Sequence, residues 1–310
     1  MKNMRHPVLA LLLLIILFGS TALRAQDEKW PEPPKFSSYL DKPGKVTKYN
    51  HFNYIDIRDP EGINHRQAMG PYWEVSYNYD STFRQKRKFK EFIVDEVLNR
   101  GGAFFYEDTT QLNFVVPEPE GNVWGRLVLT NDRMYRLRLV KEKPFANRLA
   151  FDQPVAAVFD RYLDSVALPP RVNYLPGSVI TRVTYSKFNH QSYNWNIKDT
   201  LYKQTVMGPT WDMRLEAKTE EGSIDRTLST VEVMESYYRA CLKAGGQVMK
   251  SRARELILTL PYQDGHLWCR VSPSMDGIYT VRVTWQAQAD FTPPEILISI
   301  PVQGADSTGG

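Results

Sequence analysis

Four arginines recur at matched positions in this 310-residue chain, and they are the residues best suited to binding chemistry. Arg126 and Arg138 correspond to Arg270 and Arg282 at a constant separation of 144 positions. A guanidinium group presents its N–H donors in a rigid planar fork, which matches the geometry of a carboxylate. The spacing therefore suggests a doubled site for a carboxylate or a sugar-linked anion. The alternative is structural: the arginines lie on outer sheet faces or pair with a recurring aspartate.

The arginines belong to a longer duplicated stretch with the pattern Trp-x-Arg, then Asp, Tyr and Arg at fixed intervals. Between Glu91 and Arg138, and between Glu235 and Arg282, 12 of 48 aligned positions are identical. Unrelated sequences of average composition share roughly 3. The chain is therefore predicted to contain two copies of one module. The candidate binding or structural positions are Trp124, Arg126, Asp132, Tyr135, Arg138, Trp268, Arg270, Asp276, Tyr279 and Arg282.

The repeated tryptophans have two interpretations. Trp73 with Trp211, and Trp124 with Trp268, are expected to be core aromatics that anchor a helix to a sheet. A tryptophan exposed at the surface would instead be a stacking platform for a sugar. The exposure of Trp124 and Trp268 therefore separates the two interpretations.

Both cysteines, Cys241 and Cys269, lie in the second copy, where the first copy has Val97 and Gly125. An oxidising compartment permits a disulfide between them. The distance and direction of the two side chains decide whether it forms. A disulfide and two free thiols are therefore both open, and the bridge cannot be essential to a fold that the first copy adopts without cysteines.

The sequence contains none of the familiar catalytic or cofactor motifs. The histidines are scattered without metal-ligand spacing, and there is no P-loop, dinucleotide fingerprint or hydrolase elbow. His266 precedes Cys269 by three positions, which suggests a Cys–His nucleophile, but the first copy has Asn122 and Gly125 there. We therefore expect no cofactor, no metal and no enzymatic activity. The net charge of +4 is spread along the chain without a basic stripe, so no nucleic-acid partner is expected.

Residues 1–25 have the pattern of a secretory signal peptide. Two basic residues precede an apolar run from Val8 to Phe18, and small residues follow. The run is too short to span a bilayer as a stable helix. We expect export, cleavage after Ala25 or Ala22, and no transmembrane segment in the mature chain.

Composition and periodicity divide the rest of the chain into five parts. These are an extended lead-in (26–42), a first module (43–143), a connector with a helix (144–175), a second module (176–291) and a tail (292–310). Pro154–Leu168 has the spacing of the connector helix, and Pro169-Pro170 ends it. Gly304–Gly310 is expected to be disordered.

Each module is predicted to contain strands, one helix and further strands, in that order. The helices are predicted at Lys86–Arg100 and Thr230–Ala244. Each is terminated by the glycine pair that follows it, Gly101-Gly102 or Gly245-Gly246. The predicted fold class is α+β: two tandem repeats, each with one helix packed on a mainly antiparallel sheet.

One stretch resembles a poorly characterised family of envelope modules. Pro176-Gly177-Ser178-Val179-Ile180, followed by Lys187-Phe188-Asn189 and Tyr193, is similar to the module that often precedes a peptidoglycan-binding OmpA-type domain in Gram-negative bacteria. Leu175 and Asn189 stand where that family has Tyr and Asp, and the first copy keeps only Pro43-Gly44. No OmpA-type domain is found in this sequence, so the resemblance implies an envelope location without peptidoglycan anchoring. The signal peptide is similar in style to those of Bacteroidetes.

These patterns predict an exported protein, periplasmic or associated with the outer membrane, that binds an envelope protein in a structural or accessory role. The alternative is a protein that binds a glycan or a peptidoglycan fragment. A third and weaker hypothesis is an envelope hydrolase, which only His266 and nearby acids support.

Overall fold

A computed structural model of the chain describes residues 30–34, 44–58, 65–78, 83–131, 134–152, 158–160, 167–197, 200–252, 254–288 and 295–299. The predicted signal peptide, most of the predicted lead-in and residues 304–310 lie outside these ranges. Both sheets described below belong to one compact unit.

The first half is an antiparallel sheet of six strands with one helix. Its elements are β1 (Lys45–Arg58), β2 (His65–Asn78), α1 (Phe83–Asn99), β3 (Ala103–Glu107), β4 (Gln111–Val116), β5 (Val123–Asn131) and β6 (Met134–Lys141). The strand order in the sheet is β1-β2-β6-β5-β4-β3.

The second half repeats this order in a sheet of seven strands. Its elements are β7 (Ser178–Ile197), β8 (Thr200–Ala217), α2 (Thr230–Lys243), β9 (Gln247–Arg252), β10 (Glu255–Tyr262), β11 (Gly265–Met275), β12 (Ile278–Ala287) and β13 (Glu295–Ser299). The order is β13-β8-β12-β11-β10-β9, and β7 pairs with β8.

The prediction of two sheet-based halves is confirmed. Within the described residues, thirteen strands accompany only two helices, so the protein is mostly β. The α+β prediction therefore holds only in part. The extra strand β13 lies in the predicted tail, where it pairs with β8.

One face of the first sheet carries α1. Phe89, Ile93 and Val97 are spaced by four residues and are buried. The ring centroid of Phe89 lies 4.8 Å from that of Tyr135 on the sheet. The apolar spacing within Lys86–Arg100 also predicts Leu98 in this stripe, and that prediction is wrong, since its side chain is 55 % exposed. It follows Val97 directly and therefore points about 100° further around the helix.

The second helix packs in the same way and has a side-chain cap. Ser229 Oγ accepts a hydrogen bond from the backbone N–H of Glu232 at 3.0 Å, which fixes the start of α2. Tyr237 and Cys241 are buried against the sheet. The apolar spacing within Thr230–Ala244 also predicts Leu242 in the buried stripe. That prediction is wrong, because Leu242 follows the buried Cys241 directly and is 49 % exposed.

The opposite face of each sheet is partly covered by the end of its own long hairpin. In the first half, Ala68 of β2 packs with Trp124 of β5. In the second half, Val206 of β8 packs with Trp268 of β11. Val206 is equivalent to Ala68, because each directly precedes a Met-Gly-Pro motif. Since these strands are not neighbours in either sheet, each hairpin must bend over the face to make these contacts.

Each bend depends on a glycine. A Cβ atom on Gly70 would lie 1.9 Å from the carbonyl oxygen of Lys141, and one on Gly208 would lie 2.0 Å from that of Trp285. The same close approach of backbone therefore occurs in both halves. The sequence predicts a turn or bulge entering the strand at Met69-Gly70-Pro71 and at Met207-Gly208-Pro209. Both motifs instead lie inside β2 and β8, where the strands bend.

The strand register reveals a second repeated motif, in β1 and β7. Asn53 pairs with Gly70 and Asn189 pairs with Gly208, so β1 and β7 correspond at a separation of 136 positions. At that separation both strands contain Tyr-x-x-Phe-Asn, as Tyr49, Phe52 and Asn53 and as Tyr185, Phe188 and Asn189. The first copy therefore keeps more of the opening motif than Pro43-Gly44.

The predicted connector helix is wrong where the structure describes it. Phe159 forms a parallel bridge with Ile180, whose backbone N–H donates to the carbonyl oxygen of Val158 at 2.9 Å. Phe159 also packs against the core of the second half. The backbone of Val158 and Phe159 therefore forms hydrogen bonds with the edge of β7 in place of the hydrogen bonds of a helix. Most other residues of the predicted helix, Pro154–Leu168, lie outside the described residues.

The first half contacts the second through a bulge in β1. The backbone N–H of His51 donates to the carbonyl oxygen of Thr227 at 3.0 Å. Ser229 Oγ donates to the carbonyl oxygen of Phe52. Thr227 and Ser229 immediately precede α2, so the start of this helix is held against β1.

Candidate binding groove and exposed strand edge

The repeated arginines face each other across neighbouring strands. Arg126 lies opposite Arg138 across β5 and β6, and Arg270 lies opposite Arg282 across β11 and β12. Like charges at directly opposed positions destabilise a sheet. Each pair therefore needs an anionic or oxygen-bearing partner.

A carboxylate on the next strand partly meets this need in both halves. Glu74 of β2 lies opposite Arg138 and accepts a hydrogen bond from its Nε at 3.1 Å. Asp212 of β8 lies opposite Arg282 and accepts one from its Nε at 2.9 Å. Neither acid belongs to the sequence-predicted site. The sequence does contain a pattern that marks both acids, because each directly follows the tryptophan of a Met-Gly-Pro-x-Trp motif.

In the second half the arginine pair is enclosed by the bent hairpin. Arg270 Nη2 donates to the carbonyl oxygen of Ser192 at 2.7 Å, and its guanidinium carbon lies 5.0 Å from the ring centroid of Tyr193. Arg282 Nη1 donates to Gln191 Oε1 at 3.1 Å. The second half thus supplies its own oxygen atoms to both arginines.

In the first half the arginine pair lines a groove of about 700 Å³, here called the inter-half groove. The wall from the first half includes Tyr54, Tyr72, Arg126 and Arg138. The wall from the second half includes Thr230, Met234, Tyr238 and Arg254. The structure therefore places the two predicted arginine pairs in different surroundings, one in a groove and one under a hairpin.

The inter-half groove carries a net positive charge. Three arginines line it, against two acids, Asp56 and Glu235. Glu235 Oε1 pairs with Arg239 Nε at 2.6 Å, so part of its charge is already compensated. Arg126 Nη2 donates to Gln111 Oε1 at 2.9 Å, which orients its guanidinium group.

The Tyr-x-x-Phe-Asn motif has opposite exposure in the two halves. Phe52 is 6 % exposed, and its ring centroid lies 4.6 Å from that of Phe145. Phe188 occupies the same strand position and is 63 % exposed. The equivalent tyrosines differ in the same direction, since Tyr49 is buried and Tyr185 is exposed.

The exposed copy of the motif lies on an edge strand. Among the described residues, β7 pairs with β8 and, at Ile180 alone, with Phe159. The ring of Phe188 contacts that of His190, with centroids 5.4 Å apart. We call Tyr185, Phe188 and His190 the β7 aromatic edge.

The repeated tryptophans Trp124 and Trp268 are core residues, but they pack with the bent hairpins and not with a helix, so the expectation that they anchor a helix to a sheet is wrong. Trp124 and Trp268 are 2 % and 4 % exposed. Trp124 Nε1 donates to Glu142 Oε2 and Trp268 Nε1 donates to Gln286 Oε1, both at 3.0 Å. The sugar-stacking interpretation of these two rings is therefore wrong. The tryptophans of the Met-Gly-Pro-x-Trp motifs are buried as well.

The repeated tyrosines are also structural. Tyr135 and Tyr279 are buried on the helix-bearing faces of their sheets. The hydroxyl of Tyr279 forms a hydrogen bond with Ser178 Oγ at 2.8 Å and accepts one from the backbone N–H of Leu175 at 3.1 Å. Burial raises the pKa of Tyr279 to about 12, so it remains a neutral hydrogen-bonding group.

Of the two recurring aspartates, the one that the structure describes, Asp276, does not pair with a repeated arginine. Asp132 lies outside the described residues. Asp276 Oδ2 pairs with Lys48 Nζ of the first half at 2.7 Å, and Asp276 Oδ1 accepts from the backbone N–H of Thr230 at 3.2 Å. Asp276 therefore joins the two halves at the start of α2.

Cys241 and Cys269 are buried free thiols, so the possible disulfide is not formed. Cys241 Sγ donates to the carbonyl oxygen of Thr259 at 3.7 Å. Burial raises the pKa of Cys241 to about 12 and that of Cys269 further still. A thiol this well buried is neither ionised nor reachable, so the His266–Cys269 nucleophile hypothesis is wrong.

The residues that complete the inter-half groove were not predicted from the sequence. Tyr72, Thr230 and Arg254 come from distant parts of the chain, and only the packing of one half on the other brings them together. In the sequence, Phe188 stands out only through the resemblance to the envelope modules. The spacing of 136 positions from Phe52 was the available signal for its role.

Comparisons with protein families, curated proteins and solved structures find no match. Within the described ranges, no group of three or more His, Cys, Asp or Glu side chains is arranged to hold a metal ion. None of the helices in those ranges has the length and apolar character needed to cross a membrane.

Proposed function

We propose that the protein is an exported, non-catalytic protein of the bacterial cell envelope that binds another envelope protein in a structural or accessory role. The observation that carries this proposal is the contrast between Phe52 and Phe188. The first copy of the motif is buried in a contact between two folded halves, whereas the second copy is exposed.

An exposed aromatic edge strand is suited to protein binding. Edge strands present unpaired backbone groups, and folded proteins usually protect them. Addition of an extended segment to such an edge gives affinity through main-chain hydrogen bonds and specificity through side chains. The contact of His51 and Phe52 with the segment before α2 is a precedent within the same chain.

The charges on β7 define the partner segment. Arg182 and Lys187 are exposed on this strand, which contains no acidic residue. We therefore propose that the partner adds an extended, acidic segment to the β7 aromatic edge. Electrostatic complementarity of this kind favours the correct partner and its rate of association.

The finer description of the fold belongs to the same proposal. We propose that the halves derive from duplication of one α+β module with a single helix on an antiparallel sheet. The equivalent backbone contacts of Gly70 and Gly208 support this, as do the equivalent indole hydrogen bonds of Trp124 and Trp268. Duplication explains why a contact used once within the chain has a second, exposed copy.

Site-specific photo-crosslinking in intact envelopes tests the proposal. A photoreactive phenylalanine analogue replaces Phe188 in the full chain, and the control carries it at Leu242, which is exposed on α2. We expect one discrete protein adduct from position 188 and none of the same size from position 242. Equal adducts from both positions, or none from either, would reject the β7 aromatic edge as the binding surface.

A glycan or peptidoglycan fragment is the second candidate ligand for the protein. The inter-half groove favours it, because Tyr54, Tyr72 and Tyr238 line a space of about 700 Å³ beside the arginines. Sugar sites use aromatic side chains together with a few polar groups. Binding of soluble peptidoglycan fragments to the full chain, lost on blocking the groove and unaffected by Phe188→Ala, would support this candidate.

A further inference from the structure

We infer that Glu232 is a pH-sensitive switch at the contact between the two halves, which keeps the β1 bulge closed in acid and loosens it as the pH rises. The β1 bulge consists of His51 and Phe52, which contact the segment before α2. The switch is a property of the free protein and does not depend on a partner at the β7 aromatic edge. It follows from the position of one buried carboxyl group.

Glu232 lies in the first turn of α2, beside the residues that hold the halves together. Ser229 Oγ donates to the carbonyl oxygen of Phe52 and accepts from the backbone N–H of Glu232. In a Ser-x-x-Glu capping box, the glutamate side chain turns back to the backbone N–H of the capping serine. Here Glu232 Oε1 instead accepts from Arg148 Nη2 at 2.7 Å. The carboxyl group is therefore directed at the segment between β6 and β7 and not at its own helix.

The carboxyl group of Glu232 is buried and only half satisfied. Its side chain is 7 % exposed, and Oε2 has no hydrogen-bond partner in the described structure. Arg148 is 51 % exposed, so water screens part of its attraction for the carboxylate. An ionised carboxylate with an oxygen that accepts no hydrogen bond is far more costly to bury than a neutral carboxyl group. Ionisation of Glu232 therefore disfavours the closed contact.

The groups around Glu232 come from three parts of the chain. Burial raises the pKa of Glu232 above 4.5, and Arg148 and then His51 of β1 lower it in part. The charge of Asp225, in the segment before α2, raises the pKa. The other ionisable groups nearby are Lys143, which lines the same pocket, and Tyr49 of β1, on which the charge of Glu232 acts.

The closed contact binds the carboxyl proton more tightly than an open contact does, because solvent would restore the ordinary pKa of Glu232. The closed form is therefore favoured at pH values below that ordinary pKa. The preference is lost as the pH rises through the pKa of the closed form. A pocket of about 320 Å³ lined by His51, Phe52 and Glu232 gives water access to this contact. The loosened bulge uncovers Phe52, the buried copy of the aromatic motif.

Hydrogen exchange of the full chain without a partner, measured by mass spectrometry in wild type and in Glu232→Gln, tests the inference. The glutamine has about the size of the protonated carboxyl group and does not ionise. The reporter is the segment Lys48–Tyr54, which contains the His51 amide that donates to Thr227. The reference is β5, which lies inside the first sheet.

The quantity compared is the exchange rate of the wild type divided by that of the variant at the same pH. This ratio removes the intrinsic pH dependence of exchange and the titration of His51, which both proteins share. We expect the ratio for the reporter to rise several-fold between about pH 4 and about pH 7, and the ratio for β5 to stay constant.

Two arginine variants link the rise to the charge of Glu232. Arg148→Gln removes the paired cation, so the pKa of Glu232 should rise further and the midpoint of the loosening should move to higher pH. The matched control is Arg239→Gln. Arg239 is 47 % exposed and pairs with Glu235, so its replacement should leave the midpoint unchanged.

Three results would overturn the inference. They are a ratio for the reporter that does not change with pH, an equal rise in β5, and a midpoint that is the same in Arg148→Gln as in the wild type.

Discussion

Phe52 and Phe188 occupy the same position in equivalent strands, yet one is 6 % exposed and the other 63 %. Phe52 is covered because the bulge of β1 lies against the segment that leads into α2. The described structure places no second module against β7 in the same way. The chain therefore has one filled contact and one exposed copy of the residues that make it.

The glycine at the hairpin bend is predicted to be essential for stability. In Gly208→Ala the new Cβ would lie 2.0 Å from the carbonyl oxygen of Trp285, a distance that requires backbone movement. We expect the free energy of unfolding to fall by about 3 kcal/mol or more. The control, Gly222→Ala, changes a glycine with φ of +84° and no atom within 4 Å of the new Cβ. It should cost only about 1 kcal/mol. Equal losses in a denaturant titration would contradict the close approach.

Glu232 is predicted to make stability depend on pH. Burial raises the pKa of this carboxyl above 4.5, although Arg148 pairs with it at 2.7 Å and lowers it in part. The folded protein then holds the proton more tightly than the unfolded chain does. The protonated carboxyl therefore contributes its full share of the folding stability at pH values below the unfolded pKa. That share is lost as the pH rises through the folded pKa.

The measurement is the melting temperature of wild type and Glu232→Gln across the range from about pH 4 to about pH 7. The wild type should lose stability relative to the variant as pH rises. Parallel curves for the two proteins would show that the folded and unfolded pKa values of Glu232 are the same.

Both thiols are predicted to be free and protected in the folded protein. Cys241 and Cys269 are buried, and burial raises the pKa of each. A thiol reagent should therefore label neither at mildly alkaline pH, and should label both after unfolding in guanidinium. The melting temperature should be the same with and without a reducing agent. A drop on reduction would demonstrate a disulfide.

Asp276 is predicted to contribute more to stability than its salt-bridge partner. Asp276→Ala removes both the ion pair with Lys48 and the acceptor for the backbone N–H of Thr230 at the start of α2. We expect a loss of about 1 to 2 kcal/mol. Lys48→Ala removes only the ion pair of a side chain that is 40 % exposed, and should cost less than about 1 kcal/mol. A larger loss in Lys48→Ala would contradict this assignment.

The sequence predicted the elements that have regular local patterns. The repeat and both helices follow from periodicity and glycine caps, and the helices predicted at Lys86–Arg100 and Thr230–Ala244 lie at Phe83–Asn99 and Thr230–Lys243. The long hairpins were predicted only in part. Gly70 and Gly208 look like turn residues locally, and only contact with the neighbouring strand shows that they permit a bend within a strand.

The candidate surfaces were harder to predict because they depend on contacts between distant residues. Arg138 and Arg282 have the same sequence context, but one lines a groove and the other donates to Gln191. That difference depends on the side chains that each arginine meets on other strands and on the packing of the halves. A local pattern carries neither piece of information.

Capture of an envelope partner by single-residue variants tests the central claim most directly. The full chain serves as bait after cross-linking in intact envelopes, as wild type, as Phe188→Ala and as Leu98→Ala. Leu98 is a matched control because it is also a large exposed hydrophobic residue, on the opposite half of the chain. We predict that Phe188→Ala loses the partner and that Leu98→Ala keeps it. Undiminished capture by Phe188→Ala, with the variant fully folded, would contradict the proposed role of the β7 aromatic edge.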